Sequence, residues 1–381
     1  MSDSSNDGND DRFFKENRKE GKMQRKLASA RDRSKYKKTD HKKYLKTLEV
    51  EKETKLAKLS KTKDTWLKGR ILSINAQGAV VDHEGKRITC VLKGLLKKDK
   101  TTAKNLITVG DFVLFEKTSD NEGIIVHIEP RFSTLSRADN LSRRKEQLIA
   151  SNIDQVLITV SLVDPPLKSP IVDRYIIATR KGNMQPIIVL NKVDLLNSPH
   201  FDPHLIEEQR FIYAEFLSAY AEVGIPVIAV SASTGEGMDR LKQAMQSKAS
   251  VFSGQSGVGK SSLINTVTGL HLKVGETVIS SKKGSHTTTT TQLIPLEFGG
   301  WCIDTPGIKS FGVWNLKKEE VELYFTEIHK LGQQCQFMNC THSHEVHCAV
   351  IEALKDGKLS PMRFESYQAL LHSAGEEHVK R

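Results

Sequence analysis

Short runs of alternating apolar and polar residues follow one another between about Trp66 and Pro130. Gly, Asn or Asp separates most of the runs, which read WLKGRILSI, GAVVDH, RITCVLKG, DFVLFEK and GIIVHIEP. An alternation of period two is typical of strands with one buried face. Five short strands so close together predict a small closed β-barrel of the OB type, whose face and loops often bind oligonucleotides. A small barrel with no nucleic-acid role fits the same periodicity.

From about Ser151 the apolar runs become continuous, as in DQVLITVSL, QPIIVLNKVDLL and GIPVIAVSA. Helix-like stretches such as PHLIEEQRFIYAEFLSAYAEV lie between them. Strands that are buried on both faces and alternate with helices predict a parallel sheet. Further along, KASVFSGQSGVGKSSLINTVTG predicts a strand, a turn and a helix, and QLIPLEFGGWCIDTPG predicts two strands joined by a Gly-Gly turn.

The tail from about Trp314 returns to helical spacing in KKEEVELYFTEIHKLG and MRFESYQALLHSA, with a cysteine cluster between them. We therefore expect a multidomain chain in which an OB-type β-barrel precedes an α/β domain and a small, mostly α C-terminal module. The predicted boundaries are 1–64 for an N-terminal arm, 65–131 for the barrel, 132–314 for the α/β domain and 315–381 for the C-terminal module.

Most of the positive charge lies in the first 64 residues. They carry 20 Lys and Arg against 12 Asp and Glu, in a chain of formal net charge +11. With few apolar residues, this stretch is typical of a basic arm that stays disordered or loosely helical until it meets a polyanion. A solvated leader without a role fits the same composition.

The sequence contains no run of the roughly 18 apolar residues that a membrane span requires. Its acidic, polar start, MSDSSNDGND, is not that of a signal peptide. We therefore expect a cytoplasmic protein with no membrane partner; as a separate expectation, the protein is a monomer.

A phosphate-binding loop is predicted by GQSGVGKSS, which fits the G-x4-G-K-[ST] pattern between a strand and a helix. Its glycines let backbone N–H groups turn toward phosphates, and the helix N-terminus adds a favourable dipole. Lys260 is expected to reach the β- and γ-phosphates, and Ser261 to ligate Mg²⁺. The expected nucleotide contacts are Ser253, Gly254, Gln255, Ser256, Gly257, Val258, Gly259, Lys260, Ser261 and Ser262.

A guanine-reading loop is predicted by NKVD, which comprises Asn191, Lys192, Val193 and Asp194 and ends a buried strand. In an open sheet, ligands bind where strands end. The Asp194 carboxylate is expected to accept hydrogen bonds from guanine N1–H and the N2 amino group, a donor pair that adenine lacks. Asn191 should tie this loop to the phosphate loop, and Lys192 should lie along the base.

The motif SAS ends the next strand. Ser231 and Ala232 are expected to back the base, with the Ala232 N–H donating to guanine O6.

Two further motifs have the composition of switch loops, HTTTTT and DTPG. Thr287 or Thr288 is expected to complete Mg²⁺ coordination, Asp304 to hold Mg²⁺ through water, and the Gly307 N–H to meet the γ-phosphate. Ras-type GTPases place a water-orienting glutamine just after that glycine, where this chain has Ile308. We therefore expect His286 to position the attacking water. A role for His286 in packing its loop or contacting RNA is the alternative.

The base-reading motifs precede the phosphate loop, whereas in an ordinary GTPase they follow it. All these loops gather at one edge of a parallel sheet, so joining the old chain ends and cutting elsewhere would preserve the site. With this cyclic order, the motifs NKVDLL, SASTGEGM, GQSGVGKSSLIN, HTTT and IDTPG resemble those of the circularly permuted GTPases of the RsgA family. The α/β domain is then a circularly permuted P-loop GTPase domain.

The resemblance covers the chain from about Trp66 onward and implies GTP/GDP and Mg²⁺ as ligands. It implies that the protein binds the small ribosomal subunit and its rRNA, assists late maturation of that subunit, and hydrolyses GTP faster in its presence. The arm is longer than the pattern requires. Two other functions fit the motifs: a permuted GTPase acting on the large subunit, and an RNA-binding placeholder that holds GTP with negligible turnover.

Three of the five cysteines lie close together in the tail, in the pattern Cys335-x4-Cys340-x-His342-x5-Cys348. Three thiolates and one imidazole form a complete tetrahedral set for one structural Zn²⁺, with no open position for catalysis. The family resemblance selects His342 as the fourth ligand. Chemistry alone leaves two nearby histidines, His344 and His347, as rivals. The other cysteines, Cys90 and Cys302, lie on strand-like runs and are expected to be buried packing residues.

Overall fold

The computed structural model describes residues 66–93, 106–138, 146–270, 291–304 and 316–376. It begins with a closed five-stranded barrel in which the strands follow the order β1-β2-β3-β5-β4 and β4 pairs back with β1. The strands are β1 (Leu67–Ile74), β2 (Ala79–His83), β3 (Lys86–Leu92), β4 (Phe112–Lys117) and β5 (Glu122–Ile128). The alternating runs thus formed strands, and the predicted OB-like barrel is confirmed.

The barrel interior is filled by the apolar residues of the alternating pattern. Ile71, Val81, Phe115 and Ile125 are fully buried there, and Cys90 is 1% exposed. Gly69 is closely packed in the barrel wall, since a Cβ at this position would come within 2.3 Å of Val81 Cγ1.

A two-stranded hairpin that the sequence analysis did not predict follows the barrel. It pairs β6 (Thr134–Ala138) with β7 (Glu146–Ser151) in antiparallel fashion. The fully buried Asp111 carboxylate joins hairpin to barrel, because it accepts from Arg131 Nε and Ser151 Oγ, each at 2.6 Å. The partners that define this segment are therefore distant in sequence, and periodicity could not identify them.

The second sheet has the order β10-β9-β8-β11-β13-β12. Its strands are β8 (Gln155–Val160), β9 (Gln185–Leu190), β10 (Val227–Ala229), β11 (Ala249–Gly254), β12 (Gln292–Pro295) and β13 (Trp301–Asp304). All neighbours run parallel except β12 and β13, which form the predicted Gly-Gly hairpin. Every residue of β8 and β11 is buried, as continuous apolar runs predict, and Cys302 on β13 is also buried. The parallel sheet is confirmed.

Barrel and second sheet are joined where β12 pairs with β1, at Ser73 and Gln292. Arg70 reinforces this junction. Its guanidinium lies 5.0 Å from the ring centre of Phe112 and 5.8 Å from that of Trp301, and its Nη2 donates to the Asn152 carbonyl at 2.5 Å.

Eight α-helices are assigned within the described ranges. They are α1 (Ser169–Lys181), α2 (Pro203–Glu222), α3 (Met238–Met245), α4 (Lys260–Thr268), α5 (Lys318–Tyr324), α6 (Thr326–Gly332), α7 (Ala349–Lys355) and α8 (Pro361–Glu376). The helical stretch predicted before the cysteines is divided at Phe325, whose backbone leaves the helical region and whose ring centre lies 5.5 Å from that of Tyr367. None of the helices in the described ranges has the length and apolar character needed to cross a membrane.

Candidate functional site

The predicted phosphate loop connects the end of β11 to the start of α4. Three of its glycines, Gly254, Gly257 and Gly259, have φ values of 144°, 88° and 90°. A Cβ on Gly254 would lie 2.1 Å from the Thr159 carbonyl oxygen, and one on Gly259 would lie 2.3 Å from Asn191 Nδ2. Glycine is therefore required for both the backbone conformation and the close packing of the loop.

Lys260 is the first residue of α4, and its ammonium lies inside this loop. Nζ donates to the carbonyl oxygen of Gly254 at 2.9 Å and also to that of Gln255. Burial lowers the pKa of the Lys260 ammonium, because desolvation disfavours its charged form. Anionic phosphates would offset that penalty.

The other phosphate-loop residues differ in exposure. Ser253 and Val258 are buried, Gln255 and Ser262 are half-buried, and Ser256 and Ser261 are exposed. Ser261 lies in the first turn of α4, next to Lys260, at the end of the helix where anions bind favourably.

Asn191 joins three loops at the edge of the sheet. Its Nδ2 donates to the Val258 carbonyl at 2.8 Å, which is the contact with the phosphate loop that the sequence analysis expects. Its Oδ1 accepts from the Ala232 N–H at 3.1 Å. The Ala232 amide that the sequence analysis assigns to guanine O6 is therefore engaged by Asn191 in this structure, since β9 and β10 are neighbours and both end beside this side chain.

The Asp194 carboxylate has one oxygen bonded and one free. Ser233 Oγ donates to Oδ2 at 3.1 Å, whereas Oδ1 is buried without a hydrogen-bond partner in the part of the chain that the structure describes. A buried acceptor without a partner costs about 1–3 kcal/mol, so an N–H donor placed there would be strongly favoured. The carboxylate therefore has acceptor capacity left, which the predicted hydrogen bonds from guanine would use.

Ser233 itself is held by Ser231. The two hydroxyl oxygens lie 2.9 Å apart, and Thr234 N–H donates to Ser231 Oγ at 3.1 Å. No role for Ser233 is predicted from the sequence. A hydroxyl residue two positions after Ser231 was the available signal, but the contact with Asp194 depends on two loops far apart in sequence.

The two middle residues of NKVD have different environments. Val193 is buried. Lys192 has a positive φ of 64°, and its Nζ donates to the Asp164 carbonyl at 2.7 Å. Asp164 had not been assigned a role either, because no local pattern marks it.

The parallel sheet brings these motifs together at its carboxyl edge. The base loop follows β9, the SAS motif follows β10 and the phosphate loop follows β11, and Asp304 ends β13, the neighbour of β11. The remaining predicted residues, His286, Thr287, Thr288 and Gly307, lie outside the described residues.

A second site is formed by Cys335, Cys340, His342 and Cys348, whose potential ligand atoms all lie within 4.8 Å of one another. The Sγ atoms of Cys335 and Cys348 are 3.8 Å apart, and His342 Nδ1 is 3.3 Å from Cys348 Sγ. Tetrahedral zinc with Zn–S bonds of about 2.3 Å places two thiolates about 3.8 Å apart. The cluster is compatible with zinc. His344 and His347 are exposed and are not among its members.

The imidazole of His342 is oriented by residues outside the cluster. Its Nδ1 faces the thiols, while its Nε2 lies 3.7 Å from Glu322 Oε2 on α5. The other Glu322 oxygen contacts His329 Nδ1 at 3.0 Å, and Gln368 on α8 donates to the His342 carbonyl at 3.0 Å. If the imidazole ligates a metal, a carboxylate behind it would fix the ring and raise its basicity, a contribution of Glu322 that the cysteine spacing could not reveal.

Comparisons with known proteins agree with this geometry. A family model described as RsgA GTPase matches residues 128–314. The small ribosomal subunit biogenesis GTPase RsgA of Saccharophagus degradans is 36% identical over 82% of this chain and 91% of its own length. The protein of that name from Chlorobaculum parvum is 39% identical over 71% of this chain and 86% of its own length.

Two solved structures are similar over most of the chain. YjeQ from Thermotoga maritima has a TM-score of 0.66 and 29% identity, covering 83% of this chain and 99% of its own. YloQ, described as a circularly permuted GTPase, has a TM-score of 0.64 and 28% identity, covering 83% of this chain and 97% of its own. With these matches, the resemblance drawn from the motifs is confirmed: the chain belongs to the RsgA family of circularly permuted GTPases.

Proposed function

We propose that this protein hydrolyses GTP while bound to the small ribosomal subunit and its rRNA, that it assists late maturation of the subunit, and that the subunit stimulates hydrolysis. The observation that carries the nucleotide assignment is the Asp194 carboxylate, with Oδ2 bonded to Ser233 and Oδ1 buried and unpaired. The names of the RsgA relatives support the choice of the small subunit.

In the proposed site, the phosphate loop binds the phosphates through backbone N–H groups, and Lys260 carries the compensating charge. Asp194 selects guanine, and Lys192 lies along the base. Ser261, Asp304 and Thr287 or Thr288 are the residues proposed to hold Mg²⁺, with the Gly307 N–H directed to the γ-phosphate. When bound, Mg²⁺ neutralises the charge that develops on the phosphoryl oxygens.

We assign the positioning of the attacking water to His286. Ile308 occupies the place of the Ras-type glutamine and can neither donate nor accept a hydrogen bond through its side chain. A neutral imidazole can align the water or accept its proton. If binding to the small subunit brings His286 to the attacking water, turnover is slow in free solution and fast on the subunit.

The cysteine and histidine cluster is proposed to hold one structural Zn²⁺. With four protein ligands the ion has no open position, so its contribution is folding energy for the C-terminal module rather than chemistry.

The basic arm at 1–64 is proposed to add electrostatic affinity for rRNA. We further propose that the protein works as a cytoplasmic monomer with domain boundaries near residues 64, 131 and 314.

GTP turnover with no subunit, with purified small subunits and with purified large subunits tests this function. We expect slow turnover alone and strong stimulation by small subunits only. Stimulation by large subunits only would indicate that the protein acts on the large subunit instead. Absence of turnover under all three conditions would indicate an RNA-binding protein that holds GTP without hydrolysing it. Cosedimentation with each subunit, with GDP and with a non-hydrolysable GTP analogue, gives the binding preference independently of catalysis.

A further inference from the structure

The loop between β8 and α1, residues 161–168, lies against both nucleotide-binding loops. Its Asp164 carbonyl accepts from Lys192 Nζ at 2.7 Å, and the Asp164 carboxylate is 3.5 Å from the same ammonium. Its Pro165 lies beside the phosphate loop, since a Cβ on Gly257 would be 3.5 Å from Pro165 Cδ. The β8–α1 loop is thus a wall of the site, although it contains none of the GTPase motifs.

The β8–α1 loop is braced internally. Ser161 Oγ donates to the Pro165 carbonyl at 2.7 Å, and Leu167 N–H donates to the Leu162 carbonyl at 3.3 Å. Helix α1 starts at Ser169, immediately after the loop. The loop is therefore continuous with the beginning of a 13-residue helix that is about 20 Å long.

Helix α1 also carries the surface on which the C-terminal module docks. Arg363 of α8 pairs with Asp173 of α1 through Nη1, and its Nε and Nη2 contact Glu327 Oε1 at 2.8 and 2.7 Å. We call Asp173, Arg363 and Glu327 the Arg363 clamp. Asp173 and Arg363 are only 1% and 3% exposed, and Glu327 Oε2 is buried as well.

Aromatic rings enclose the guanidinium of the clamp. It lies 4.4 Å from the ring centre of Phe325 in the C-terminal module and 5.3 Å from that of Tyr220 on α2. Charges buried in this way are stable only in one arrangement, because separating them leaves a desolvated carboxylate or guanidinium without its partner. We call the arrangement seen here the closed clamp; disrupting it would leave buried charge without its partner.

Weaker contacts line the rim of the same interface. Lys181 and Glu320 form an ion pair at 2.9 Å, and Arg174 Nη2 donates to Ser373 Oγ at 2.9 Å. Both involve exposed or partly exposed side chains, and exposed pairs of this kind contribute little. The rim provides a matched control for the buried clamp.

We propose that the β8–α1 loop and helix α1 couple guanine-nucleotide binding to docking of the C-terminal module, with Arg363 acting as a positioning residue for the nucleotide site. A nucleotide held by Lys192 and the phosphate loop fixes the β8–α1 loop and hence the start of α1, which favours the closed clamp. By thermodynamic reciprocity the closed clamp raises nucleotide affinity by the same factor. This coupling rests on the proposed guanine-nucleotide site. It does not involve the γ-phosphate, so GDP is sufficient to engage it.

The first experiment measures the dissociation constant of a fluorescent GDP for the full-length, zinc-loaded protein and three variants. Glu327→Gln removes one charge and leaves Arg363 paired with Asp173, so this variant is the one expected to fold well. Arg363→Lys tests the clamp more severely. Lys181→Ala is the rim control. We expect Glu327→Gln to weaken GDP binding about fivefold, at the lower end of allosteric couplings, and Lys181→Ala to stay within about twofold of wild type.

The second experiment distinguishes positioning from simple structural support. Hydrogen exchange is followed in α1, α8 and the phosphate loop, with and without saturating GDP. In the wild type GDP should slow exchange in residues 361–376 as well as in the phosphate loop. In Glu327→Gln the phosphate loop should still be protected, while the effect on residues 361–376 is lost. Urea unfolding and zinc content verify that the variant is folded.

The proposal is overturned if GDP protects the phosphate loop but leaves exchange in α8 unchanged in the wild type. It is also overturned if Glu327→Gln and Lys181→Ala have the same GDP affinity. Neither measurement uses ribosomal subunits or hydrolysis, so a failure of the proposed subunit-dependent activity would be seen separately. Failure of the wild type to bind GDP at all would overturn both.

Discussion

The Asn191→Ala substitution tests the hydrogen-bonded contact between the base-reading loop and the phosphate loop. The side chain is 2% exposed and makes two hydrogen bonds, to the Val258 carbonyl and from the Ala232 N–H. Replacing the side chain with alanine leaves the carbonyl of the buried residue Val258 without its hydrogen-bond donor, at a cost of about 1–3 kcal/mol. Ala232 is only half-buried. Loss of the hydrogen bond from its N–H should therefore cost about 0.5–1.5 kcal/mol, the net value of one hydrogen bond.

Together the two losses amount to about 1.5–4.5 kcal/mol. Without Asn191 the loops are free to separate, and a nucleotide must reassemble them on binding. A penalty of about 1.4 kcal/mol is a tenfold change in an equilibrium constant, so we expect the GDP dissociation constant to rise at least tenfold.

The assay is equilibrium binding of a fluorescent GDP, with urea unfolding and zinc content measured on the same preparations. Asn197→Ala is the matched control, because Asn197 is an exposed asparagine just after the same loop whose Oδ1 accepts from Arg210 at 2.9 Å. Exposed substitutions usually change stability by less than about 0.5 kcal/mol, so GDP binding of the control should stay within about twofold. An Asn191→Ala protein that binds GDP as tightly as the control and unfolds at the same urea concentration would refute the reasoning.

Four further predictions follow from the proposed site. Asp194→Asn should cost about 1–3 kcal/mol of GTP affinity and favour XTP, which competitive binding of GTP, ATP and XTP would detect; an unchanged GTP preference would contradict the assignment. Cys340→Ser should release zinc and loosen the C-terminal module while intrinsic hydrolysis survives, and metal analysis finding no zinc in wild type purified without chelator would count against the site. His286→Ala should lower single-turnover hydrolysis on saturating small subunits by about 10²–10⁴ with subunit binding retained; a rate within about twofold of wild type would remove His286 from the mechanism. Deleting Met1–Asp64 should flatten the salt dependence of subunit binding, because fewer counterions are released, and an unchanged slope would reduce the arm to a solvated leader.

The local sequence pattern determined the secondary-structure elements and the nucleotide-binding motifs. Period-two alternation specified the barrel strands, and continuous apolar runs specified the parallel strands, because each pattern states how many faces of a strand are buried. The phosphate loop was equally readable, since Gly254, Gly259 and Lys260 act through their own backbone and the adjacent helix end. The cyclic order of the motifs predicted the permutation, because a parallel sheet gathers its loops at one edge whatever the order of its connections.

Tertiary structure decided which side chains serve those motifs from a distance. The contacts of Ser233 with Asp194, of Asp164 with Lys192 and of Glu322 with His342 join segments whose separation along the chain carries no periodic signal. The same limit hid the hairpin of β6 and β7, which is fixed to the barrel by the buried Asp111.

The choice among the clustered histidines was also a tertiary decision. The spacing left three histidines as possible fourth ligands, and the structure brought only His342 to the thiols while leaving His344 and His347 exposed.

The Arg363 clamp is the clearest case of a feature that only the tertiary structure decides. A lone arginine in a helical stretch predicts a solvated charge, and the packing of α8 against α1 and α6 buries it between the carboxylates of Asp173 and Glu327. Burial and partner choice depend on the assembled fold, and that information is not present in any single segment of the chain.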